Sequence, residues 1–324
     1  MTKKGNSRSI NENFKNKDIL SLIQFSPKDL RYLFSLSSKI KKVKNPNKLL
    51  NILKGEIITL LFYEPSSRTY ASFVSAIKRL GGQTIDILDP RHSSSVSKGE
   101  TLRDTIKIFA TYSSIIILRH PEAGSAKIAA ESTNTPIINA GDGIGEHPTQ
   151  ALLDLFTIYE KFGKLNSLTG VLAGDLLNGR TVHSLIAGLS KFSGNKLYLL
   201  SPKTLQLKQS DLLSFKNQGI ELICINSKKE IPQNANFWYW TRIQKERFKS
   251  DAEYKKVKNK FIVNKKLLNN YAGRNTIIMH PLPRVGEIKE EVDKDQRAIY
   301  FTDQIKNGVY VRMALLILIL NKKT

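Results

Sequence analysis

Short apolar runs alternate with longer amphipathic stretches along most of this 324-residue chain. The apolar runs have the length of buried strands, and the stretches between them have helical spacing. The predicted strands are 57–63, 84–88, 115–118, 136–139, 170–173, 196–200, 221–225, 237–240 and 276–279. The predicted helices are 70–80, 100–111, 125–132, 147–162, 181–192 and 209–217. Such alternation is typical of parallel sheets covered by helices, so the pattern predicts an α/β fold.

The helical stretch 147–162 lies between two series of predicted strands, and Gly163 follows it as a helix terminator. The length of the chain is sufficient for two domains, each with its own core. We therefore expect two doubly wound domains, each with a mainly parallel sheet flanked by helices, joined by long helices. The predicted domains are 1–147 and 148–306, with a C-terminal helix at about 307–324 that packs back on the first.

Composition narrows the class of protein. Residues 1–17 lack the apolar core of a secretory signal, and the apolar run 313–320 is too short to cross a bilayer. We therefore expect a soluble protein with no membrane partner. The single cysteine, Cys224, excludes an internal disulfide and fits a reducing cytoplasm, and its apolar neighbours predict a buried, unreactive thiol. The five histidines lack the spacing of metal ligands, so we expect no metal and no cofactor.

The net charge of +23 raises the question of nucleic-acid binding. The lysines, however, are scattered among Asn and Ile residues, and no recognition motif accompanies them. We therefore expect no nucleic-acid partner, although the positive field favours small substrates with several negative charges. The alternative, a basic RNA-binding protein, predicts binding to polynucleotides that weakens steeply with salt.

The segment Ser66-Ser67-Arg68-Thr69 combines three hydroxyls and a guanidinium between a predicted strand and a predicted helix. A helix start leaves several backbone N–H groups without partners, and the helix dipole adds positive charge there. Together these donors predict a site for a tetrahedral anion such as phosphate. The alternative is an ordinary helix N-cap with an exposed arginine.

Other polar residues also follow the ends of predicted strands. Because functional residues of such sheets cluster at the carboxyl ends of the strands, this recurrence predicts a shared site. The residues and segments concerned are Arg119, 141–150, Arg180, Arg242 with Gln244, and 280–283.

Seven segments, in this order along the chain, resemble motifs of the carbamoyltransferase family. Four resemble its carbamoyl-phosphate motifs: FYEPSSRT at 62–69, SKGET at 97–101, LRHP at 118–121 and HPTQ at 147–150. Three resemble its aspartate branch: GD at 174–175 with GRTVHS at 179–184, TRIQKER at 241–247 and HPLPR at 280–284. The resemblance implies carbamoyl transfer from carbamoyl phosphate to L-aspartate, which gives N-carbamoyl-L-aspartate and phosphate in de novo pyrimidine biosynthesis.

The resemblance also implies roles for individual residues. Thr69, Arg119 and His147 are the implied catalytic residues, which stabilise the carbonyl oxygen as it becomes an oxyanion. The full set implied to bind carbamoyl phosphate is Ser66, Ser67, Arg68, Thr69, Arg119, His147, Gln150, Pro281 and Leu282. The set implied to bind aspartate is Lys98, Arg180, Arg242 and Gln244.

The family pattern implies further properties of the protein. Lys98 reaches the site of a neighbouring subunit in the family, which implies a homotrimer with shared active sites. No regulatory domain is fused to the chain, so a regulatory partner would be a separate chain. Because nearby arginines disfavour an imidazolium, we expect His147 to be neutral and to donate a hydrogen bond rather than act as the general base.

Two alternatives from other branches of chemistry are weaker. An ornithine carbamoyltransferase, or one acting on another amine, shares the first motifs but normally has Cys at the position of Pro281. A dinucleotide-dependent oxidoreductase is suggested by the glycines of 141–145, but its fingerprint requires Gly at the position of Glu146.

Overall fold

The computed structural model of the protein describes residues 9–143, 145–243, 250, 254 and 261–323. These residues form two compact units. The first contains the described residues up to Phe156 together with those from Lys306 onward, and the second runs from Thr157 to Ile305. Each unit contains one parallel sheet with helices, so the predicted α/β class is confirmed.

The sheet of the first unit has four parallel strands in the order β2-β1-β3-β4. Its strands are β1 Ile57–Phe62, β2 Gln83–Leu88, β3 Ile115–His120 and β4 Ile137–Asp142. The helices in this part of the chain are α1 Pro27–Lys41, α2 Ser67–Arg79, α3 Pro90–Ser93, α4 Leu102–Tyr112, α5 Ser125–Ser132 and α6 Pro148–Phe162. Strands β3 and β4 are buried throughout, which fits the apolar residues with which each of them begins.

The sheet of the second unit has five parallel strands in the order β7-β6-β5-β8-β9. Its strands are β5 Thr169–Ala173, β6 Lys196–Leu200, β7 Glu221–Ile225, β8 Phe237–Trp240 and β9 Ile277–Met279. The helices are α7 Arg180–Leu189, α8 Gln209–Asn217 and α9 Lys265–Tyr271. The aromatic strand β8 is fully buried, and Trp238 and Trp240 belong to one continuous apolar core.

The last helix, α10 Asp303–Ile319, is apolar on most of its faces, and its buried residues include Val311, Leu315 and Leu316. From Lys306 onward it belongs to the first unit. Its carboxyl end is held by the N-terminal segment, because the backbone N–H of Asn16 donates to the carbonyl of Ile319.

The structure differs from the sequence prediction at several element boundaries. Helix α2 begins at Ser67 rather than at 70, so the phosphate motif forms the first helical turn instead of a preceding loop. Strand β3 continues through Arg119 and His120 because it pairs on both sides, with Arg119 opposite Phe62 of β1. Helices α1 and α9 were not predicted.

The prediction that Cys224 is a buried thiol is wrong, because the residue is exposed. Strand β7 lies at the edge of its sheet, next to β6, and its residues are only partly buried, with Glu221 and Cys224 exposed. Apolar neighbours in the sequence therefore did not ensure that the Cys224 thiol is buried, because a strand at the sheet edge has a neighbouring strand on one side only.

The described residues include neither a helix that could cross a membrane nor a group of side chains arranged to hold a metal ion. Within those ranges, no helix has both the length and the apolar character needed to cross a membrane. Among the same residues, no group of three or more His, Cys, Asp or Glu side chains is arranged to hold a metal ion.

Candidate active site

The first turn of helix α2 presents unused backbone donors. Ser66 is the N-cap residue, but its side chain makes no capping hydrogen bond. The first backbone N–H to bond back is that of Tyr70, which donates to the carbonyl of Ser66 at 3.0 Å. The preceding N–H groups, on Ser67, Arg68 and Thr69, have no acceptor in the described structure. This end of the helix is therefore built as an anion site rather than as a side-chain cap.

Arg119 lies beside this helix start. Its backbone carbonyl accepts from the N–H of Tyr63, the residue that follows β1, at 2.8 Å. Its guanidinium is buried, with Nη1 donating to the carbonyl of Ala140 at 3.0 Å and Nη2 lying 2.7 Å from a carboxylate oxygen of Glu64. The carbonyl and the carboxylate fix the position of this cation at the edge of the sheet where α2 begins.

His147 precedes helix α6 and contacts the same region. Its Nε2 lies 3.5 Å from Oγ1 of Thr69, and its Nδ1 lies 3.4 Å from Oγ1 of Thr149. The side chains of Thr69 and His147 are both buried, so the structure brings two predicted catalytic residues into contact in a place shielded from water.

Gln150 lies in the first turn of α6, and its amide group has a defined orientation. The Nε2 group donates to both carboxylate oxygens of Asp154, at 3.1 and 3.2 Å. Since the nitrogen faces Asp154, the oxygen Oε1 faces away from it and is available to accept a hydrogen bond. This arrangement suits a hydrogen-bond acceptor role for Gln150, one of the residues that the family resemblance implies in carbamoyl-phosphate binding.

Lys98 ends a short 3₁₀ helix, Ser95–Lys98, and is exposed. Within the described part of the chain, no hydrogen bond or ion pair joins it to Arg68, Arg119 or His147. The described structure therefore shows Lys98 as an exposed side chain that is not bonded to these residues.

In the second unit, Arg180 and Arg242 follow neighbouring strands. Arg180 is the first residue of α7, after β5, and Arg242 comes two residues after β8. The two strand ends are paired, with Ala173 opposite Trp240. Both arginines are half-buried and both make polar contacts. Gln244, the third residue predicted for this group, lies outside the described residues.

Gly174 allows these two strand ends to approach each other. It has a φ of +115°, and a Cβ atom at this position would lie 2.3 Å from the carbonyl oxygen of Thr241. Any other residue would therefore need the chain to move near both arginines. This gives a physical reason for glycine in the Gly174-Asp175 motif.

Pro281 and Leu282 follow β9, the strand next to β8, and their backbone is fixed by His280. The N–H of Leu282 donates to Nδ1 of His280 at 2.8 Å, while Nε2 of His280 bonds to Glu287 at 2.8 Å. Leu282 has a φ of +54°, in the left-handed region that a leucine rarely adopts. Because C=O and N–H point in opposite directions across a trans peptide, the carbonyl of Pro281 faces away from His280.

The buried pair of His280 and Glu287 also perturbs protonation. Burial alone would raise the pKa of Glu287, but the hydrogen bond from His280 and the backbone N–H groups outweigh it and lower the pKa. With Nδ1 accepting from Leu282, the proton of neutral His280 is placed on Nε2, toward the carboxylate.

Sequence reasoning missed three residues that support the predicted ones, namely Asp154, Glu287 and Arg312, and it gave no individual role to Thr149 within the predicted segment 141–150. Asp154 could have been found, since Gln and Asp four residues apart on a helix can bond. Arg312 had a signal too, because it is a lone charge inside the apolar run of α10. Glu287 had no signal in the sequence, since its pairing with His280 depends on the path of the loop between them.

Comparison with known proteins agrees with this geometry. Residues 17–160 match the family described as "Aspartate/ornithine carbamoyltransferase, carbamoyl-P binding domain". Residues 166–319 match its companion, the "Asp/Orn binding domain". The chain belongs to the aspartate/ornithine carbamoyltransferase family. The two matched segments together cover most of the chain, so the predicted family resemblance is confirmed.

Within this family the chain is similar to proteins named aspartate carbamoyltransferase or aspartate transcarbamoylase. It is 47% identical over 305 residues to the aspartate carbamoyltransferase catalytic subunit of Clostridium perfringens, covering 93% of this chain and 97% of the relative. The catalytic subunit of M. jannaschii aspartate transcarbamoylase superposes with a TM-score of 0.87 at 41% identity, covering 92% and 96% of the two chains. Aspartate transcarbamoylase from Trypanosoma cruzi, in complex with carbamoyl phosphate and aspartate, gives 0.86 at 38% identity, covering 95% and 98%.

Proposed function

We propose that this chain is an aspartate carbamoyltransferase. It transfers the carbamoyl group of carbamoyl phosphate to the amine of L-aspartate, which gives N-carbamoyl-L-aspartate and phosphate in de novo pyrimidine biosynthesis. The observation that carries the proposal is the cluster at one edge of the first sheet, where the uncapped start of α2, Arg119, Thr69 and His147 lie together. The aspartate-specific relatives support the choice of acceptor.

The start of α2 is the proposed phosphate site. The unused N–H groups of the first turn and the helix dipole favour a dianion, and the hydroxyls of Ser66, Ser67 and Thr69 add directed donors. Arg68 is exposed at the same turn and supplies a bidentate cation. The first unit is thus the proposed carbamoyl-phosphate-binding domain.

The carbonyl of carbamoyl phosphate is proposed to bind where Thr69, Arg119 and His147 converge. When the amine of aspartate attacks the carbonyl carbon, negative charge develops on this oxygen and three donors stabilise it. One such donor is typically worth about 2.7–4 kcal/mol of the barrier. The C–O bond to phosphate then breaks, and the departing phosphate accepts the proton that the amine loses.

The carbamoyl nitrogen needs hydrogen-bond acceptors to orient the group. Oε1 of Gln150 is supplied in the right orientation by Asp154, as described above. The carbonyl of Pro281, and with it that of Leu282, supplies backbone acceptors held in place by His280. Acceptors for this –NH₂ group distinguish carbamoyl phosphate from an acyl phosphate that lacks it.

The second unit is the proposed aspartate-binding domain. Aspartate carries two carboxylates, and planar guanidinium groups bind carboxylates in a bidentate manner. Arg180 and Arg242, with Gln244 beside them in the sequence, are the proposed ligands. Ornithine has no second carboxylate, and Pro281 stands where its carbamoyltransferases normally have Cys, so the alternative acceptor is disfavoured.

The assembly and location belong to the same proposal. Lys98 is exposed at the end of a short 3₁₀ helix, so it is accessible for the role in a neighbouring subunit's active site that the family resemblance implies. We therefore propose a homotrimer with shared active sites. The single cysteine, exposed at Cys224, supports a reducing cytoplasm.

An acceptor assay with the purified chain tests the function. Radiolabelled carbamoyl phosphate is incubated with aspartate or with ornithine, and the carbamoylated products are separated. We expect N-carbamoyl-L-aspartate and negligible citrulline, and Arg68→Met should abolish the former while a surface variant, Arg274→Met, should not. A folded protein that carbamoylates ornithine, or neither amine, would contradict the proposal.

A further inference from the structure

Arg312 is a buried cation that connects α10 to two helices of the candidate site. Its Nη1 group donates to Oγ of Ser72 on α2 and to the carbonyl of Gly308, each at 3.0 Å. Its guanidinium carbon lies 4.8 Å from the centre of the Phe73 ring, which adds a cation–π contact. Burying a charged guanidinium costs desolvation free energy, so packing alone does not explain why an arginine occupies this position.

The other end of the guanidinium bonds to Thr149. Nη2 of Arg312 lies 3.4 Å from Oγ1 of Thr149, and a guanidinium has only donors, so the hydroxyl oxygen must accept this bond. The single hydroxyl proton of Thr149 is then directed elsewhere. Nδ1 of His147 lies 3.4 Å from the same oxygen and is a suitable acceptor.

We propose that Arg312 is a positioning residue, which acts through Thr149 to hold His147 as the neutral tautomer with its proton on Nε2. An Nδ1 that accepts from Thr149 leaves the ring proton on Nε2, the nitrogen that faces Thr69 at 3.5 Å. This inference rests on the proposed function, in which the carbonyl oxygen of carbamoyl phosphate binds beside Thr69. The tautomer presents an N–H donor at that place before the substrate arrives.

The charge of Arg312 is maintained at neutral pH. Burial lowers the pKa of Arg312 to about 10, and the nearby carboxylate of Asp154 opposes this shift. The guanidinium is therefore still protonated at pH 7 and can only donate. The same carboxylate orients Gln150, so one buried pair of opposite charges supports two of the proposed substrate ligands.

Solid-state ¹⁵N NMR of sedimented full-length protein labelled at histidine tests the tautomer directly. The His147 signals are assigned by their loss in His147→Gln. We expect a bare Nδ1 and a protonated Nε2 for His147 in the wild type. His280 is an internal reference, because its Nδ1 accepts from Leu282 and should remain bare in every variant that leaves this loop unchanged.

Substitutions at Thr149 separate positioning from packing. Thr149→Val removes the hydroxyl at nearly constant volume, and we expect kcat to fall about tenfold, less than for deletion of an oxyanion donor itself. The KM for aspartate should stay within about twofold, and Thr149→Ser should restore kcat because it restores the hydroxyl. Thr59→Val is the matched control, since Thr59 is also buried and its hydroxyl also bonds to a side chain.

Arg312→Lys keeps the charge, but one ammonium cannot hold Ser72 and Thr149 in the same geometry, so it should also lower kcat. A protonated Nδ1 on His147 in the wild type, or a Thr149→Val enzyme with unchanged kcat and unchanged His147 signals, would overturn the inference. In that event carbamoyl-aspartate formation by the wild type still upholds the proposed function. Conversely, a protein with the expected tautomer that makes no carbamoyl-aspartate overturns the function.

Discussion

Gln150 and Asp154 form an oriented pair on α6, in which the amide nitrogen of Gln150 faces both carboxylate oxygens of Asp154. Asp154 is completely buried and is close enough to Arg312 to affect its pKa. A carboxylate can only accept, so it permits one orientation of the amide and excludes the flipped one. The orientation of a proposed substrate ligand is thus set by a residue that the substrate does not contact.

Asp154→Asn should weaken the binding of carbamoyl phosphate. The new amide can donate as well as accept, so Gln150 is free to turn its nitrogen toward the substrate. Loss of one hydrogen bond of about 1 kcal/mol raises the KM for carbamoyl phosphate about fivefold. Steady-state kinetics measure this, with Glu160→Gln, an exposed carboxylate on the same helix, as the control. Equal effects of both substitutions would refute the explanation.

Glu64→Gln should change phosphate binding and turnover in opposite directions. Glu64 lies 2.7 Å from the buried guanidinium of Arg119, so its charge competes with a bound anion for that cation. We expect inorganic phosphate to bind about threefold more tightly and kcat to fall about tenfold, because Arg119 loses part of its fixed position. Titration calorimetry and initial rates measure the two quantities.

The alternative for Glu64 is an ion pair that contributes little. The side chain of Glu64 is 38% exposed and that of Arg119 is 8% exposed. The carboxylate oxygen that faces Arg119 is itself buried, so solvent screens this contact little. The exposed carboxylate of Glu122, two residues beyond β3, provides the control substitution Glu122→Gln. If Glu64→Gln behaves like this control, the weak-pair explanation is correct.

The sequence was most informative where local pattern decides structure. Short apolar runs predicted β6, β7 and β8 with the bounds observed, although β7 at the sheet edge is only partly buried. Helix α1 was missed although its start carries a signal, since Ser26 and Asp29 form a capping box around Pro27. Its basic, serine-rich surface obscured the apolar face that is buried in the folded protein.

Other features could not be predicted because they depend on contacts between distant segments. Arg312 bonds to Ser72 and Thr149, which are far from it in the sequence. The exposure of Cys224 depends on the position of β7 at the sheet edge, and strand order is not contained in a local pattern. By contrast, the arginines that follow β5 and β8 could be predicted as site residues, because the topology of a parallel sheet alone places the ends of its strands together.

Glu287→Gln should reduce stability at neutral pH but not in acid. The pKa of Glu287 is lowered in the folded protein, so its ionised form adds stability that is complete above the ordinary value of about 4.3. This stability is lost as the pH falls through the lowered folded value. The difference in unfolding midpoint between wild type and Glu287→Gln should therefore shrink between pH 7 and pH 3. The reason is that protonation of Glu287 in acid removes the stability that its charge adds to the wild type.

Thermal unfolding at several pH values measures this difference. The carboxylate of Glu287 is buried and bonds to His280, so solvent screening is small. Glu290→Gln, an exposed carboxylate three residues away, is the matched control and should show no such pH dependence. A difference for Glu287→Gln that stays constant from pH 7 to pH 3 would mean that its charge does not contribute.

Arg242→Lys should raise the KM for aspartate and leave the KM for carbamoyl phosphate nearly unchanged. A lysine keeps the charge but cannot form two parallel hydrogen bonds with a carboxylate, so we expect the KM for aspartate to rise about tenfold or more. Because Arg242 lies in the second unit, after β8, the KM for carbamoyl phosphate should stay within about twofold. Arg274→Lys, an exposed arginine of the same unit, is the control. A rise in both KM values would indicate a general disturbance of the site rather than loss of a carboxylate ligand.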